Sequence, residues 1–265
     1  MSEKNAKPCQ LDSNSPILPI VSIVVANYER AQALDETIRS ILVQKHPSIE
    51  LIIIDNASRD MSVEVVKKYE GHIGYWVSES DRGIYDAFNK GVKMSSGDWL
   101  YFIGSGDKLA ADDAISTVFS VCEDVDLIYG NVYLQHYGSI YPGRFSKRRL
   151  VDTNICQQGI FYHRRLFERF GMFETKYPVL ADWVFNMRCF GDRRVRTRFV
   201  DEVIAVFEGG GASVTKKDPN FWQERGILIR RYLGISCWAY FMIKYRLYFK
   251  ILGIARISYR FARGR

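Results

Sequence analysis

Residues 20–27 read Ile-Val-Ser-Ile-Val-Val-Ala-Asn and residues 50–56 read Glu-Leu-Ile-Ile-Ile-Asp-Asn, two β-branched runs that each end abruptly in polar side chains. Runs this short and this continuously apolar belong to strands buried on both faces, where neither side meets water. Between them Leu34, Ile38, Ile41 and Leu42 recur at i, i+4, i+7 and i+8, the apolar stripe of a helix. The pattern continues outward. Met61 to Tyr69 reads as a helix, Ile73 to Val77 as a short strand, Gly83 to Met94 as a helix, and Trp99 to Ile103 as a fourth strand running into Gly104-Ser105-Gly106-Asp107. Strand and helix in turn predict an α/β fold with a mainly parallel central sheet and helices on both faces.

Past about residue 124 the rhythm loosens. Asp126 to Gln135 fits a strand or a hairpin, Gly159 to His163 a strand, Ala181 to Phe190 a helix and Arg196 to Val206 a strand. No Pro/Gly linker divides this half from the first, so residues 17–215 are expected to form one domain. Residues 1–16 read as a loose polar leader and residues 216–265 as a helical tail.

The chain of 265 residues carries 37 Lys+Arg against 30 Asp+Glu, a net charge of +7, yet ten of the cations lie between Arg225 and Arg265, where there is no acid. The first 224 residues are therefore at −3. That distribution argues against a basic body built to coat a nucleic acid, and no nucleic-acid partner is expected. Cys9, Cys122, Cys156, Cys189 and Cys237 are odd in number, widely spaced and form no CxxC pair. They are read as reduced thiols, not a disulfide framework or a zinc site. No apolar run precedes Ile17, so no secretory signal is expected.

In parallel α/β sheets, ligands bind beyond the carboxyl ends of the strands. The polar groups there are Asn27 and Glu29 after the first strand, Asp55 and Asn56 after the second, and Ser105 and Asp107 after the fourth. An Asp closing a buried run needs donors; a nucleotide base or ribose supplies them, and so does a self-capping Asp55-Asn56-Ala57-Ser58 turn. Both readings stand at this level. The first strand is not followed by GxGxxG, and there is no GxxxxGK[ST], which speaks against a dinucleotide fold and a P-loop.

Four segments in order carry a more specific signal: VSIVVANYER (21–30), LIIIDNASRD (51–60), SESDRGIYDAFNKG (78–91) and SGDWLYFIGSGDKL (96–109). Together they resemble the inverting family 2 glycosyltransferases of GT-A fold, and within them the bacterial colanic-acid, exopolysaccharide and O-antigen enzymes. QQGIFYHRRLF (157–167), LADWVFNMR (180–188) and FEGGGAS (207–213) extend the resemblance. It implies that Asn27, Glu29 and Asp55 line a nucleotide pocket, with Asp55 accepting from a uracil N–H, and that Arg82, Asp86 and Ser105 border the diphosphate and sugar. An ionised carboxylate only accepts, so it selects a donating base edge, and a guanidinium fork suits a diphosphate. Read alone, Arg82 is a surface charge in a turn and Asp86 a solvated helix residue.

The resemblance further makes Asp107 the metal-binding carboxylate for Mg²⁺ or Mn²⁺, although Gly104-Ser105-Gly106-Asp107 keeps only the last acid where many relatives read Ser-Asp-Asp. Mg²⁺ is satisfied by one or two carboxylates with donor phosphates and water. Asp182 is the implied general base, with helix N-cap as its plain alternative. Gln158 and His163 are candidate sugar contacts, His163 equally a strand-end polar residue, and Gly209-Gly210-Gly211 reads as a mobile loop near the diphosphate or a plain connector. The expected activity is hexosyl transfer from a nucleotide-diphosphate sugar, UDP-linked, to a lipid-linked saccharide acceptor in surface polysaccharide assembly. The alternative is a non-catalytic nucleotide-sugar-binding or interaction protein on the same fold.

The tail sets an expected location. On a helix, Arg246, Lys250, Arg256, Arg260 and Arg263 fall within about 140° of arc, opposite most of Leu247, Tyr248, Ile251, Leu252, Ile254, Tyr259 and Phe261. With Trp238, Tyr240, Phe241 and Tyr245 this is the composition of an interfacial helix on an anionic membrane surface. Its longest uncharged apolar stretch, Tyr232 to Ile243, has twelve residues, short of the roughly 20 needed to span a bilayer. The expectation is a cytoplasmic protein, peripheral on the inner face of the plasma membrane. The competing reading packs the apolar side on the body.

Overall fold

The computed structural model describes residues 19–120, 124–141, 143–209 and 217–251, with side chains up to residue 245. The first half alternates as the runs predict: β1 (Val21–Asn27), α1 (Ala31–Leu42), β2 (Ile49–Asp55), α2 (Ser62–Lys68), β3 (Tyr75–Ser78), α3 (Ile84–Met94) and β4 (Trp99–Gly104). Then come β5 (Lys108–Leu109), α4 (Ala114–Val118), β6 (Leu127–Leu134), β7 (Ser139–Tyr141), α5 (Lys147–Asp152), β8 (Ile160–His163), α6 (Arg165–Phe170), α7 (Ala181–Gly191), β9 (Thr197–Phe207), α8 (Pro219–Leu228) and α9 (Ile235–Ile251).

All the described strands join one sheet in the order β3-β2-β1-β4-β8-β6-β9-β5, with β7 beside β6. β1 pairs in parallel with β2 and β4, and β2 with β3. β8 then enters antiparallel between β4 and β6, so the second half extends the sheet instead of forming a separate layer. Asp126–Gln135 proves to be one strand, β6, that also forms a hairpin with β7.

Period-2 alternation explains why the central runs are continuously apolar. Val21, Ile23, Val25, Leu51, Ile53, Trp99, Tyr101 and Ile103 face the α1, α2 and α4 side. Val24, Ala26, Ile52, Ile54, Leu100 and Phe102 face α3, α5 and α7. Burying each such side chain contributes about 1.5–3 kcal/mol. α3 lies so close to β1 that a Cβ at Gly91 would meet Val24 Cγ1 at 2.2 Å. α7 is buried nearly all round, from Ala181 to Met187 and again at Cys189, as a helix apolar on every face must be.

The beginning of the tail docks on this core. Trp238, Tyr240 and Phe241 pack against it, and Tyr240 Oη donates to Asp152 Oδ2 at 2.9 Å. Three of the aromatics counted toward an interfacial helix thus lie partly buried against the body. The cations Arg246, Lys250, Arg256, Arg260 and Arg263, and residues 210–211 of the glycine run, lie outside the described side chains.

Candidate active site

The carboxyl ends of β1 and β2 are laced together. Asn27 Nδ2 donates to Asp55 Oδ1 at 2.7 Å, Ser58 donates through its backbone N–H (3.0 Å) and its hydroxyl (2.6 Å), and Ser78 Oγ donates at 2.6 Å. Asp55 has no exposed surface, and these four bonds fill the roughly four acceptor sites of a carboxylate. A base N–H therefore reaches Asp55 only by displacing one of these donors. The vacant acceptor beside it is Asn27 Oδ1, buried and without a partner. Glu29, left-handed at φ 52°, accepts from the Arg59 N–H at 2.9 Å and lies at the surface.

At the end of β4, Ser105 N–H donates to Ala26 O at 3.0 Å and Gly106 turns the chain at φ 105°. Asp107 follows, buried, with Oδ2 accepting from Gln158 Nε2 at 2.7 Å and Oδ1 from the Glu208 N–H at 3.0 Å. Burial pushes its carboxyl up to about 6, against the two hydrogen bonds. Arg30 ties the region together, donating to Ser105 O at 2.9 Å and to Glu208 Oε2 at 2.6 Å.

Asp182 sits in the first turn of α7, 6% exposed, its carboxyl also pushed up to about 6 by burial. Tyr85 Oη lies 2.6 Å from Oδ1, and Asn154 Nδ2 donates to Oδ2 at 2.7 Å. The N-cap of α7, Leu180, has no capping side chain of its own; Asp218 Oδ2 instead holds the approach to the helix, accepting from the N–H groups of Val179 (3.0 Å) and Leu180 (2.9 Å). Asp182 is thus not the N-cap residue, though its carboxyl also accepts from the Trp183 N–H, a local role at the helix start that stands beside the catalytic one.

One short segment links the two acids. Asn154 holds Asp182, Gln158 holds Asp107, and between them Cys156 donates to Gln158 Oε1 at 3.1 Å. Its thiol is pushed up to about 12, first by burial and then by the charge of Asp107, with Asp182 acting in the same direction, so Cys156 lies within electrostatic reach of both. Tyr101 Oη secures the segment by donating to Gln158 O at 2.7 Å.

The structure thus joins Asn27 to Asp55 directly and Asp107 to Asp182 through residues 154–158. Arg82 and Asp86 stand apart from these networks, paired with each other at 3.1 Å with the Arg82 side chain 78% exposed. His163 caps nothing in the crevice; its ring packs on Trp99 and accepts from the Arg165 N–H. Sequence reasoning missed Arg30, Ser58, Ser78, Tyr85, Asn154, Glu208 and Asp218. The one available signal was the polar cluster Thr153-Asn154 and Gln157-Gln158 around a buried Ile155.

As to a metal, the described residues hold no group of three His, Cys, Asp or Glu arranged around one point. Asp107 does fit a cation completed by a ligand's phosphates, since each of its oxygens accepts a single bond and burial leaves its charge uncompensated.

Acids thus stand at the carboxyl edge of a parallel half-sheet, and a further buried acid, Asp182, is tied to them through residues 154–158. The glycosyl transferase family 2 model matches residues 22–187, and the chain belongs to that family. A PGL/p-HBAD biosynthesis glycosyltransferase of Mycobacterium tuberculosis is 35% identical over 211 residues, 77% of this chain and 82% of the relative. The poly(ribitol-phosphate) beta-N-acetylglucosaminyltransferase TarP of Staphylococcus aureus is 29% identical over 158 residues, 57% of this chain and 48% of the relative. Among solved structures, S. aureus TarS 1–349 in complex with UDP superposes with a TM-score of 0.64 at 16% identity, covering 80% of this chain and 65% of the solved one. The mannosyltransferase PcManGT from Pyrobaculum calidifontis with GDP-Man and Mn²⁺ gives 0.58 at 18% identity, covering 78% and 60%.

Proposed function

We propose that this glycosyltransferase moves a sugar from a UDP-linked donor to a hydroxyl of a lipid-linked saccharide, with inversion at the anomeric carbon and Asp182 as general base. The observation that carries the reading is the tie between the two acids through residues 154–158. One is poised to hold the donor end and the other to take a proton. In the step, the acceptor hydroxyl loses its proton to Asp182, its oxygen bonds to the anomeric carbon, and the bond from that carbon to the diphosphate breaks with its electron pair leaving on phosphate. Asp107 would hold Mg²⁺ or Mn²⁺, which when bound supplies charge neutralisation for the leaving diphosphate. Asn27 meets the base directly and Asp55 by exchanging one of its present donors for the base N–H, and Arg82 swings from Asp86 to the phosphates.

UDP in a TarS complex and Mn²⁺ in the PcManGT complex support the donor and metal assignments, and the surface-polymer name of TarP supports the acceptor class. Membrane-surface residence is supported by the exposed apolar residues Ile227, Ile235, Ile243 and Tyr245 beside Lys244, ahead of the basic end. No described helix is long and apolar enough to cross a membrane.

The test is a thermal-shift screen of nucleoside diphosphates and nucleotide sugars with and without Mn²⁺, followed by turnover of Asp182→Asn. Stabilisation by UDP that requires the metal, with turnover lost in Asp182→Asn but binding retained, supports the reading. Metal-independent stabilisation removes Asp107 from its role, and full turnover in the variant removes the mechanism.

A further inference from the structure

Tyr85 has one hydroxyl proton and two acceptors in reach: Asp182 Oδ1 at 2.6 Å and Val179 O at 2.9 Å. It cannot donate to both. With Asp182 ionised, the proton points to Oδ1. With Asp182 protonated, Oδ1–H donates to Tyr85 Oη and the phenol donates to Val179 O. Each state is fully bonded at the carboxyl, and they differ by one hydroxyl rotation.

The other oxygen is treated differently. Tyr162 Oη reaches Asn186 Oδ1 at 2.9 Å and Gln157 Oε1 at 3.3 Å, its proton going to the nearer Asn186; Asn186 Nδ2 donates to Asn154 Oδ1 at 2.9 Å, and Asn154 Nδ2 to Asp182 Oδ2 at 2.7 Å. Each amide has its oxygen occupied by the preceding donor, so Asn154 is left presenting N–H to Oδ2. That oxygen remains an acceptor throughout.

Resting on the reading of Asp182 as the base, we propose that Tyr85 and Asn154 are its positioning residues, Tyr85 turning its hydroxyl to suit either protonation state and Asn154 holding Oδ2 as a permanent acceptor. The proton balance closes. The acceptor sugar loses one proton, Asp182 gains it, and Tyr85 keeps its own throughout. The titratable groups facing Asp182 are Tyr85 on α3, Tyr162 on β8 and Cys156 on the segment before β8. Asp218 lies behind the first turn on the backbone of Val179 and Leu180, and Arg225 stacks over Trp183.

The experiment is a carboxyl ¹³C NMR titration of the full-length protein labelled at Asp, with the Asp182 signal assigned by its loss in Asp182→Asn, alongside kcat/KM against pH. Tyr85→Phe keeps the ring that packs on Phe88 and Phe173, and so keeps the fold. Tyr85→Phe and Asn154→Ala each remove a donor to the charged form, so the midpoint of Asp182 is expected to rise by about one pH unit, a tenfold change in its ionisation constant. Asn154→Asp is expected to raise it further. A midpoint that stays at the wild-type pH in both Tyr85→Phe and Asn154→Ala overturns the proposal, even if kcat falls. The NMR midpoint reads this network whether or not Asp182 is the base. Turnover of Asp182→Asn tests that separately.

Discussion

The backbone N–H of Glu208 donates to Asp107 Oδ1 at 3.0 Å, joining positions 101 residues apart and tying the end of β9 to the end of β4. The junction has no spare room. At Gly106, φ is +105° and an added Cβ would lie 2.1 Å from Glu208 Oε2 and 2.9 Å from Arg30 Nη1. Gly106→Ala is therefore expected to cost about 1–3 kcal/mol and to break the Arg30–Glu208 pair. Thermal unfolding and donor titration by calorimetry check it; unchanged melting and affinity would show that the turn is not constrained as described.

The two buried acids carry a cost that depends on pH. Asp107 and Asp182 both stand near 6 in the fold, above the roughly 3.9 of an unfolded Asp. Between those values the native state binds more protons than the unfolded chain, so their contribution is fully present below about pH 4 and is lost as pH rises through 6. Each is worth on the order of 2–3 kcal/mol. Asp182→Asn reproduces the protonated pattern, its amide donating to Tyr85 and accepting from Asn154. We expect it to melt a few degrees higher than wild type at pH 8 and at the same temperature near pH 4. Activity of the wild type is expected to fall as pH drops through about 6 and Asp182 takes up a proton.

Asp218 serves two helices. Oδ2 accepts from Val179 and Leu180 before α7, and Oδ1 accepts from Phe221 at 3.1 Å in the first turn of α8. It is 1% exposed, so removing it strands three buried N–H groups. Asp218→Ala is expected to destabilise by roughly 2–4 kcal/mol, read by urea unfolding, while Asp218→Asn loses less because its one carbonyl oxygen still accepts.

The basic end is tested on vesicles. Co-sedimentation with anionic vesicles at low salt, weakening as salt rises and absent with neutral vesicles, is the expected result, since each cation contributes about 1 kcal/mol at such a surface. Changing Arg246, Lys250, Arg256, Arg260 and Arg263 to Gln is expected to abolish it. Binding that persists in that variant would place the contact elsewhere.

The sheet was legible because its central strands are short, β-branched and apolar on both faces, and the polar groups that end them mark the site by position. Asp107 and Asp182 were singled out through motifs around them. Their supports were not. Asn154 meets Asp182 across 28 residues, Gln158 meets Asp107 across 51, and Tyr85 meets Asp182 across 97. No local periodicity records such pairings, because a hydrogen bond between distant elements leaves composition and spacing unchanged. The start of the tail was ambiguous for a related reason: Trp238 and Phe241, partly buried on the body here, have the same sequence signature whether their face meets lipid or protein.

The C-terminal helix also meets the chain that supports the acid. Tyr240 and Lys244 of α9 both hold Asp152, and two residues further on Asn154 donates to Asp182, so the contact that docks the tail and the contact that orients the acid are neighbours on one segment.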